Sequence, residues 1–508
     1  MKLRKIIPLF LVLFIFVFVF FACGENTGND DNNPAVNNAG LGGEDMTSGE
    51  NPEESKPNAI KLEPDIPPAD YGGHKFTVLI SLNSLTGDVW NDFRAEEETG
   101  DTINDAIYKR NIYVEEKYNI EILDIMLDHS DNKDRPAAQR MIKNSVAAGD
   151  NAYDAAMLAG YAMCGLASGG FLMDMNNMSP LDLSKPWWDQ KANRDLMIKN
   201  KMLYTTGYIS NVVNEATLAI LFNKKLVQDY GFESPYDLVR GGEWTYDKLI
   251  EMALQVGQDL NGDGKMGFED LFGAFIWDDT MHGIVNSIGE KCAVINNAGE
   301  IELTLNTERT LKSFDKYIDF ILDRNHALIY QREDWSGEKT NAMFANNQGL
   351  FYLQIMELVV RLRAMEIDFG VLPYPKLEKT QDNYYSTVNG WHAGFMCVPT
   401  GQDDEARTGA ILEAMAAESM YTLKPAYYDI ALKGKYIRDE ESEDMLDLIF
   451  ESKIYDIGWL YEIGGYNEEI MNLCRNRKTD FVSMYEKSMT KAERDIAKLN
   501  DIFDEILN

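Results

Sequence analysis

NEATLAILFNKKLVQDYGFESPYDLVRGGEWTYDKLI, residues 214–250, contains a short apolar run, Leu218 to Phe222, with the length of a buried strand. Asn223 opens a short helical pattern that stops near Gly231, a residue suited to a helix end. Ser234-Pro235 reads as a turn. Thr245 is placed to cap a second helix, in which Lys248, Leu249 and Met252 follow at helical spacing. The segment therefore reads strand, helix, turn, helix.

The same alternation runs N-terminally. His74 to Ile80 reads as an opening strand, and Thr102 to Tyr118 as an amphipathic helix with Ile103, Ile107, Tyr108, Ile112 and Val114 near one face. Ile120 to Leu123 is a second strand, Pro136 to Ala148 a helix, and Tyr153 to Leu158 a third strand. Strands alternating with helices predict an α/β fold with a parallel-rich sheet. Ligands of open α/β sheets sit beyond the carboxyl ends of the strands. That rule singles out the loops Asn83–Trp90 and Gly160–Tyr161, with Trp90 and Tyr161 as ligand contacts or as ordinary loop aromatics.

The series apolar strand, F-N-K-K-L, Y-G, Pro, W-T (Leu218 to Thr245) resembles the extracellular solute-binding proteins of ABC importers, in their sugar- and oligosaccharide-binding group. The resemblance extends to R-N…E-E-K-Y (Arg110 to Tyr118), Y-D-A-A-M (Tyr153 to Met157), M-F-A-N-N-Q-G (Met343 to Gly349) and D-F-G-V-L-P-Y-P-K (Asp368 to Lys376). V-N-G-W-H-A-G-F-M-C-V-P (Val388 to Pro399) is similar to the family's second hinge strand, and its glycines suit changing backbone angles or close approach of a ligand. The family implies a two-lobed periplasmic-binding-protein fold of type II-like order, with hinge crossings between lobes. It divides the chain into a signal peptide (1–22), a tether (23–70), the first part of lobe 1 (71–205), lobe 2 (206–388), a return to lobe 1 (389–435) and C-terminal helices mainly on lobe 2 (436–508).

The N-terminus carries an address. Lys2, Arg4 and Lys5 precede an apolar run from Ile6 to Ala22, followed by Cys23-Gly24. Cysteine after a small residue looks like a lipoprotein cleavage site, with Cys23 as the acylated residue. Phe20 and Phe21 depart from that pattern, and an uncleaved membrane anchor is the other reading. Both place the remaining chain outside the membrane. Gly24 to Asp70 is too rich in Asn, Gly, Asp, Glu and Pro to bury a core and reads as a tether.

At 508 residues the chain can build two lobes with real cores. Its net charge of -35 argues against nucleic acid, which needs clustered Lys and Arg. Cys164, Cys292, Cys397 and Cys474 show neither zinc spacing nor a disulfide framework, so buried free thiols are expected. No catalytic cofactor is indicated, and a monomer is expected.

Asp259-Leu-Asn261-Gly-Asp263-Gly264-Lys265…Asp270 places oxygen ligands at positions 1, 3 and 5, glycine at 6, a carbonyl at 7 and a carboxylate at 12 of an EF-hand-like loop for Ca²⁺. Asp270 stands where Glu is usual, which shortens the last ligand arm. A plain Asn/Asp/Gly turn is the alternative.

Trp277, with Asp278 and Asp279, suits either a sugar face and its hydroxyls or a core ring beside solvated acids. By resemblance, Asn211, Asn214, Glu215, Tyr352, Gln354, Trp391 and Trp459 face the cleft, with Trp391 the stacking residue, while Trp187-Trp188 pack an extended segment onto a lobe. The family implies a small-molecule solute, an oligosaccharide, passed to the membrane subunits of an ABC permease. A peptide or other polar solute, an extracellular carbohydrate-active enzyme, and a lipoprotein sensor for a membrane kinase are the other readings. No G-x-S-x-G, H-E-x-x-H or P-loop sequence occurs.

Overall fold

The computed structural model describes residues 61–83, 91–127, 134–333, 337–362, 366–429, 432 and 441–507. The signal segment, Cys23, most of the tether and Trp90 lie outside the described residues. The strands are β1 (His74–Ser81), β2 (Ile120–Met126), β3 (Ala155–Ala159), β4 (Leu218–Asn223), β5 (Phe272–Ile276), β6 (Ala293–Ile295), β7 (Ile301–Leu303), β8 (Ala327–Ile329), β9 (Gly349–Ile355), β10 (Phe369–Leu372), β11 (Ser386–Thr387), β12 (Gly394–Cys397) and β13 (Lys453–Ile454).

Two sheets form two lobes. The first has the order β12-β3-β1-β2, with β1 parallel to β2 and β3 (Phe76 opposite Ile122, Val78 opposite Ala155) and β12 antiparallel to β3. The second has the order β10-β4-β9-β5-β8; its β8, β5 and β9 are parallel, while β4 runs against β9 and β10. β3, β4, β5 and β9 are buried along their whole length. Helices cover both faces of such strands, so their sequences are continuous apolar runs rather than alternating ones.

Local chemistry sets the boundaries. The Asp101 carboxylate accepts from the N–H groups of Ile103 and Asn104 and starts the helix Thr102–Tyr118, which ends at left-handed Asn119. The Asn223 side chain accepts from the Leu226 N–H and starts the helix Lys224–Asp229. Thr245 caps Tyr246–Val256 through the Lys248 N–H. Ser234-Pro235 departs from the expected turn: Pro235 begins the helix Pro235–Arg240, because its missing N–H costs nothing in the first turn. The C-terminal pattern is one helix, Phe481–Leu507.

The tether is shorter than its composition suggests. Residues 61–70 lie on lobe 1. Lys61 Nζ donates to Glu418 Oε2 at 2.6 Å, the Leu62 N–H donates to Tyr421 Oη at 2.7 Å, and Ile66 and Ala69 pack against the lobe's apolar core. The prolines pre-order this stretch, so fixing it costs little entropy.

The chain passes between the sheets three times: before β4, between β11 and β12, and between the helices Glu405–Ser419 and Glu441–Glu451. Glu405–Ser419 packs on Thr102–Tyr118 of lobe 1, and Glu441–Glu451 on β10 of lobe 2. Between the lobes β11 pairs with β13. Trp187 and Trp188 are buried, as expected of packing residues, and the Trp188 indole donates to Glu413 Oε2 at 2.8 Å. Burial pushes the Glu413 carboxyl up to about 7, against the indole's opposing pull. The four cysteines of the folded region are buried free thiols.

Trp244 anchors lobe 2: it is buried, its indole donates to the Pro373 carbonyl at 3.0 Å, and its ring packs on Phe351. Trp244→Ala is expected to destabilise the protein by about 3–5 kcal/mol, read as a lower denaturant midpoint. An unchanged midpoint would show that the ring is not part of the cooperative core.

Candidate ligand cleft

Five short stretches meet on residues Asn389–Ala393, in the second crossing. From beyond β1, Asn83 Nδ2 donates to the Trp391 carbonyl at 2.6 Å. From beyond β3, the Gly160 N–H donates to the Ala393 carbonyl at 3.0 Å, and the Tyr161 ring meets Trp391 edge-on with centroids 5.9 Å apart. From beyond β5, Trp277 lies edge-on to His392 at 5.5 Å, and Asp279 Oδ2 accepts from Asn389 Nδ2 at 2.7 Å. From beyond β9, Glu357 places Oε2 3.9 Å from His392 Nδ1. From the first crossing, the Ala216 carbonyl accepts from the Asn389 N–H at 2.9 Å. Carboxyl ends of parallel strands from both sheets thus face one another across a single loop.

Close approach depends on glycine. A Cβ on Gly160 would lie 2.7 Å from the Gly390 carbonyl oxygen, and one on Gly390 would lie 2.9 Å from a Leu460 methyl. Gly390 serves proximity here; its φ is not in the left-handed region.

The cleft is acidic and mostly dry. Asp278 and Asp279 are 2% and 8% exposed. Asp278 accepts from Gln331 Nε2 at 2.5 Å and from the Arg475 guanidinium. Burial, with mutual repulsion, holds protons on this pair to about pH 6. His282 Nε2 donates to the Asn467 carbonyl at 3.1 Å, and burial lowers the ring's pKa. Carboxylates beside Tyr and Trp rings can accept from hydroxyl groups while the rings cover an apolar face.

Tyr161, Trp277 and half-buried Trp391 are brought together here. Buried Glu215 lies one residue before Ala216. Trp459 is buried on His282, centroids 4.7 Å apart, and its indole donates to Asn286 at 3.1 Å. Tyr352 and Gln354 lie elsewhere: the Tyr352 hydroxyl donates to Asn341 and Gln354 donates to the Tyr330 hydroxyl, both inside lobe 2. Their strand, β9, is central and covered on both faces, so neither of its sides opens on the cleft. Asn211 and Asn214 line a separate cavity. Trp90 lies outside the described residues. Sequence reading did not select Glu357, Asn389, His392 or Arg475, and Asn83 entered only as the start of the loop Asn83–Trp90. Asn389 and His392 flank Trp391 in a stretch already singled out; Arg475 reaches Asp278 across 197 positions, which no local pattern signals.

In the loop Asp259–Asp270 the carboxylates turn to the backbone. Asp259 accepts from the N–H groups of Gly262 (2.7 Å) and Gly264 (2.8 Å), Asn261 from Asp263, and Asp263 from Lys265. Buried Asp270 accepts from Leu260 and Gly267 and closes the loop. Among the described residues no three His, Cys, Asp or Glu side chains converge as a metal cluster. Each carboxylate oxygen of Asp259 and Asp270 accepts one bond and keeps acceptor capacity.

Residues 98–319 match the model of the bacterial extracellular solute-binding protein family. The whole described chain has the two-lobed periplasmic-binding-protein fold. It is similar to a cyclic alpha-maltosyl-1,6-maltose binding protein from Arthrobacter globiformis (TM-score 0.55, 14% identity, 85% of this chain and 100% of that one). It is also similar to a cyclo/maltodextrin-binding protein complexed with maltotetraose (TM-score 0.54, 14% identity, 84% and 97%). An ABC substrate-binding protein from Listeria monocytogenes in complex with cycloalternan gives TM-score 0.51 at 14% identity over 85% and 99%. No curated protein sequence matches the chain. Among the described residues no helix is long and apolar enough to cross a membrane.

The buried acid pair predicts a pH dependence. Between the ordinary carboxylate value of 3.8 and about 6, the folded chain keeps protons that the unfolded chain has released. Unfolding then releases protons, so stability falls as pH rises through this window. Asp278→Asn is expected to flatten the fall in thermal midpoint between about pH 4 and 6 relative to the parent. An unaltered slope would mean that other groups carry it.

Proposed function

We propose that this chain captures a carbohydrate, an oligosaccharide, between its lobes and delivers it to the membrane subunits of an ABC importer. The observation that carries this reading is the convergence of strand ends from both sheets on Trp391, with Tyr161, Trp277 and buried carboxylates around it. Aromatic faces suit sugar rings, and carboxylates suit their hydroxyls. Hinge closure supplies a state for a permease to recognise. Sugar-binding proteins of the same fold support the ligand class. We assign the chain no catalytic step: members of its family are binding proteins. Acylation of Cys23 would hold it, as a monomer, at the outer face of the membrane.

Titration with maltose, maltotetraose and unrelated polar solutes tests the ligand. A ligand raises the thermal midpoint by mass action. Trp391→Ala is expected to weaken sugar binding by about tenfold or more, about 1.4 kcal/mol. Binding of peptides with no response to sugars would overturn the carbohydrate reading. Release of shorter sugars would replace it with a hydrolase.

We also propose Ca²⁺ in the loop Asp259–Asp270, held by the side chains of Asp259, Asn261, Asp263 and Asp270 and the Lys265 carbonyl. The ion would staple the loop and take no part in ligand chemistry. Chelator is expected to lower the thermal midpoint and added Ca²⁺ to restore it. A midpoint indifferent to both would leave the loop as a backbone-bonded turn.

A further inference from the structure

Besides its three chain crossings, the molecule joins its lobes by a contact that is not covalent. On lobe 1 the contact starts from the turn Ile198–Lys201, whose end residues exchange backbone hydrogen bonds of 3.1 and 2.8 Å. Lobe 1 holds this turn. Asp174 accepts from the Met202 N–H at 3.0 Å and pairs with Lys201 Nζ at 3.3 Å, and Asn176 Nδ2 donates to the Asn200 carbonyl at 3.3 Å. On lobe 2 the contact ends on the hairpin β6–β7 and on the helix Phe481–Leu507. β7 leads into the helix Glu308–Leu322, which packs on Tyr246–Val256, and Phe481 packs on Phe314 of that helix at 4.5 Å.

The two sides touch backbone to backbone. The Lys199 N–H donates to the Gly299 carbonyl at 3.1 Å. A Cβ on Gly299 would lie 2.8 Å from the Lys199 Cα, and its φ of +79° also calls for glycine. Lys199 and Asn200 have φ of 51° and 60°. Left-handed backbone suits Asn but carries a steric cost for Lys. Such a cost persists where the surroundings hold the residue, and it points to a role. Lys199 Nζ lies 2.6 Å from Asp504 Oδ1 and 3.6 Å from Glu300 Oε1. One turn before Asp504, Asn500 ties the helix to the hairpin: Oδ1 accepts from the Ile301 N–H at 2.9 Å and Nδ2 donates to its carbonyl at 3.1 Å. Ile506 then reaches lobe 1, with a methyl 3.4 Å from where a Gly170 Cβ would stand. A second rung joins the start of the hairpin to the helix Gln190–Leu196. Lys291 Nζ lies 2.8 Å from Asp195 Oδ2, with the side chains 18% and 8% exposed. A half-exposed pair such as Lys199–Asp504 contributes little alone, whereas a pair screened from water loses more when one partner is removed. Hairpin and helix end are tied to each other by Asn500, so these rungs release together when the lobes part.

We propose that this contact is an interlobe clasp: it holds the arrangement in which both lobes meet around Asn389–Ala393, and the lobes separate only when it releases. The clasp sets the population of that arrangement before any ligand arrives, and so the affinity for a solute held between the lobes. The effect on affinity rests on the solute capture proposed above; the clasp itself does not.

Small-angle X-ray scattering of the full chain without sugar reads lobe separation. Lys291→Met removes the screened pair. Gly299→Val puts a side chain where Lys199 stands. Lys199→Gly removes the ammonium while relieving the left-handed backbone, so the turn itself is not weakened. Each variant is expected to show a larger radius of gyration than the parent and faster amide exchange in residues 195–201 and 293–301. Affinity for maltotetraose should fall by about threefold to tenfold, with saturating sugar restoring the parent's radius. Circular dichroism and the thermal midpoint report folding, and Lys199→Gly keeps the test decisive if Gly299→Val misfolds. An unchanged or smaller radius in folded Lys199→Gly and Lys291→Met overturns the clasp, whether or not sugar binds. A larger radius with no sugar binding in the parent keeps the clasp and sinks the carbohydrate reading.

Discussion

Asn389 joins the two lobes at their point of contact. It is 1% exposed and every polar group of its side chain and its N–H is engaged. The N–H donates to Ala216 in the first crossing, Nδ2 donates to Asp279 from lobe 2, and Oδ1 accepts from the N–H groups of Trp391 and His392. An amide can donate to a carboxylate and cap a turn at once. Asp would repel Asp279, and an apolar residue would leave the turn N–H groups and the carboxylate unpaired in a dry site. Asn389, with Asn83 on the Trp391 carbonyl, fixes the backbone of Trp391 and so its edge contact to Tyr161.

The second constraint is electrostatic. A chain with net charge -35 nonetheless buries acids at the contact of its lobes. Water would normally take such groups back. They stay because donors are spent on them: Gln331 and Arg475 on Asp278, Asn389 on Asp279. The residual strain appears as retained protons, which makes the cleft's charge depend on pH near 6.

Much of the fold was legible in the residues. Leu218–Asn223, Thr102–Tyr118 and the Thr245 cap form where propensity and periodicity place them, because each is specified by its own neighbours in sequence. Pro235 shows the limit: a proline after serine can end a turn or open a helix, and the helix here is selected by the packing of Tyr236 and Leu238 into lobe 2. The site was legible only in part. Tyr161 was found from the rule on strand carboxyl ends, Trp277 from its neighbouring carboxylates and Trp391 from the family resemblance. Tyr352 and Gln354 could not be placed that way, since the order of strands decides which β-residue is covered. Asn211 and Asn214, read as cleft residues, line a separate cavity instead, which no local pattern signals.

The sequence by itself determined the alternating strands and helices, the helix caps, the apolar strands and the aromatic and acidic residues available for a ligand. These depend on local propensity and on hydrophobic period, both carried by adjacent residues. Only the tertiary structure decided that β4 and β9 run antiparallel in the second sheet, that residues 61–70 belong to lobe 1, that Arg475 meets Asp278, and that Asn389 holds the lobes together. Each of these brings together residues far apart in the chain, and their partners are chosen by burial and hydrogen-bond satisfaction across the whole molecule.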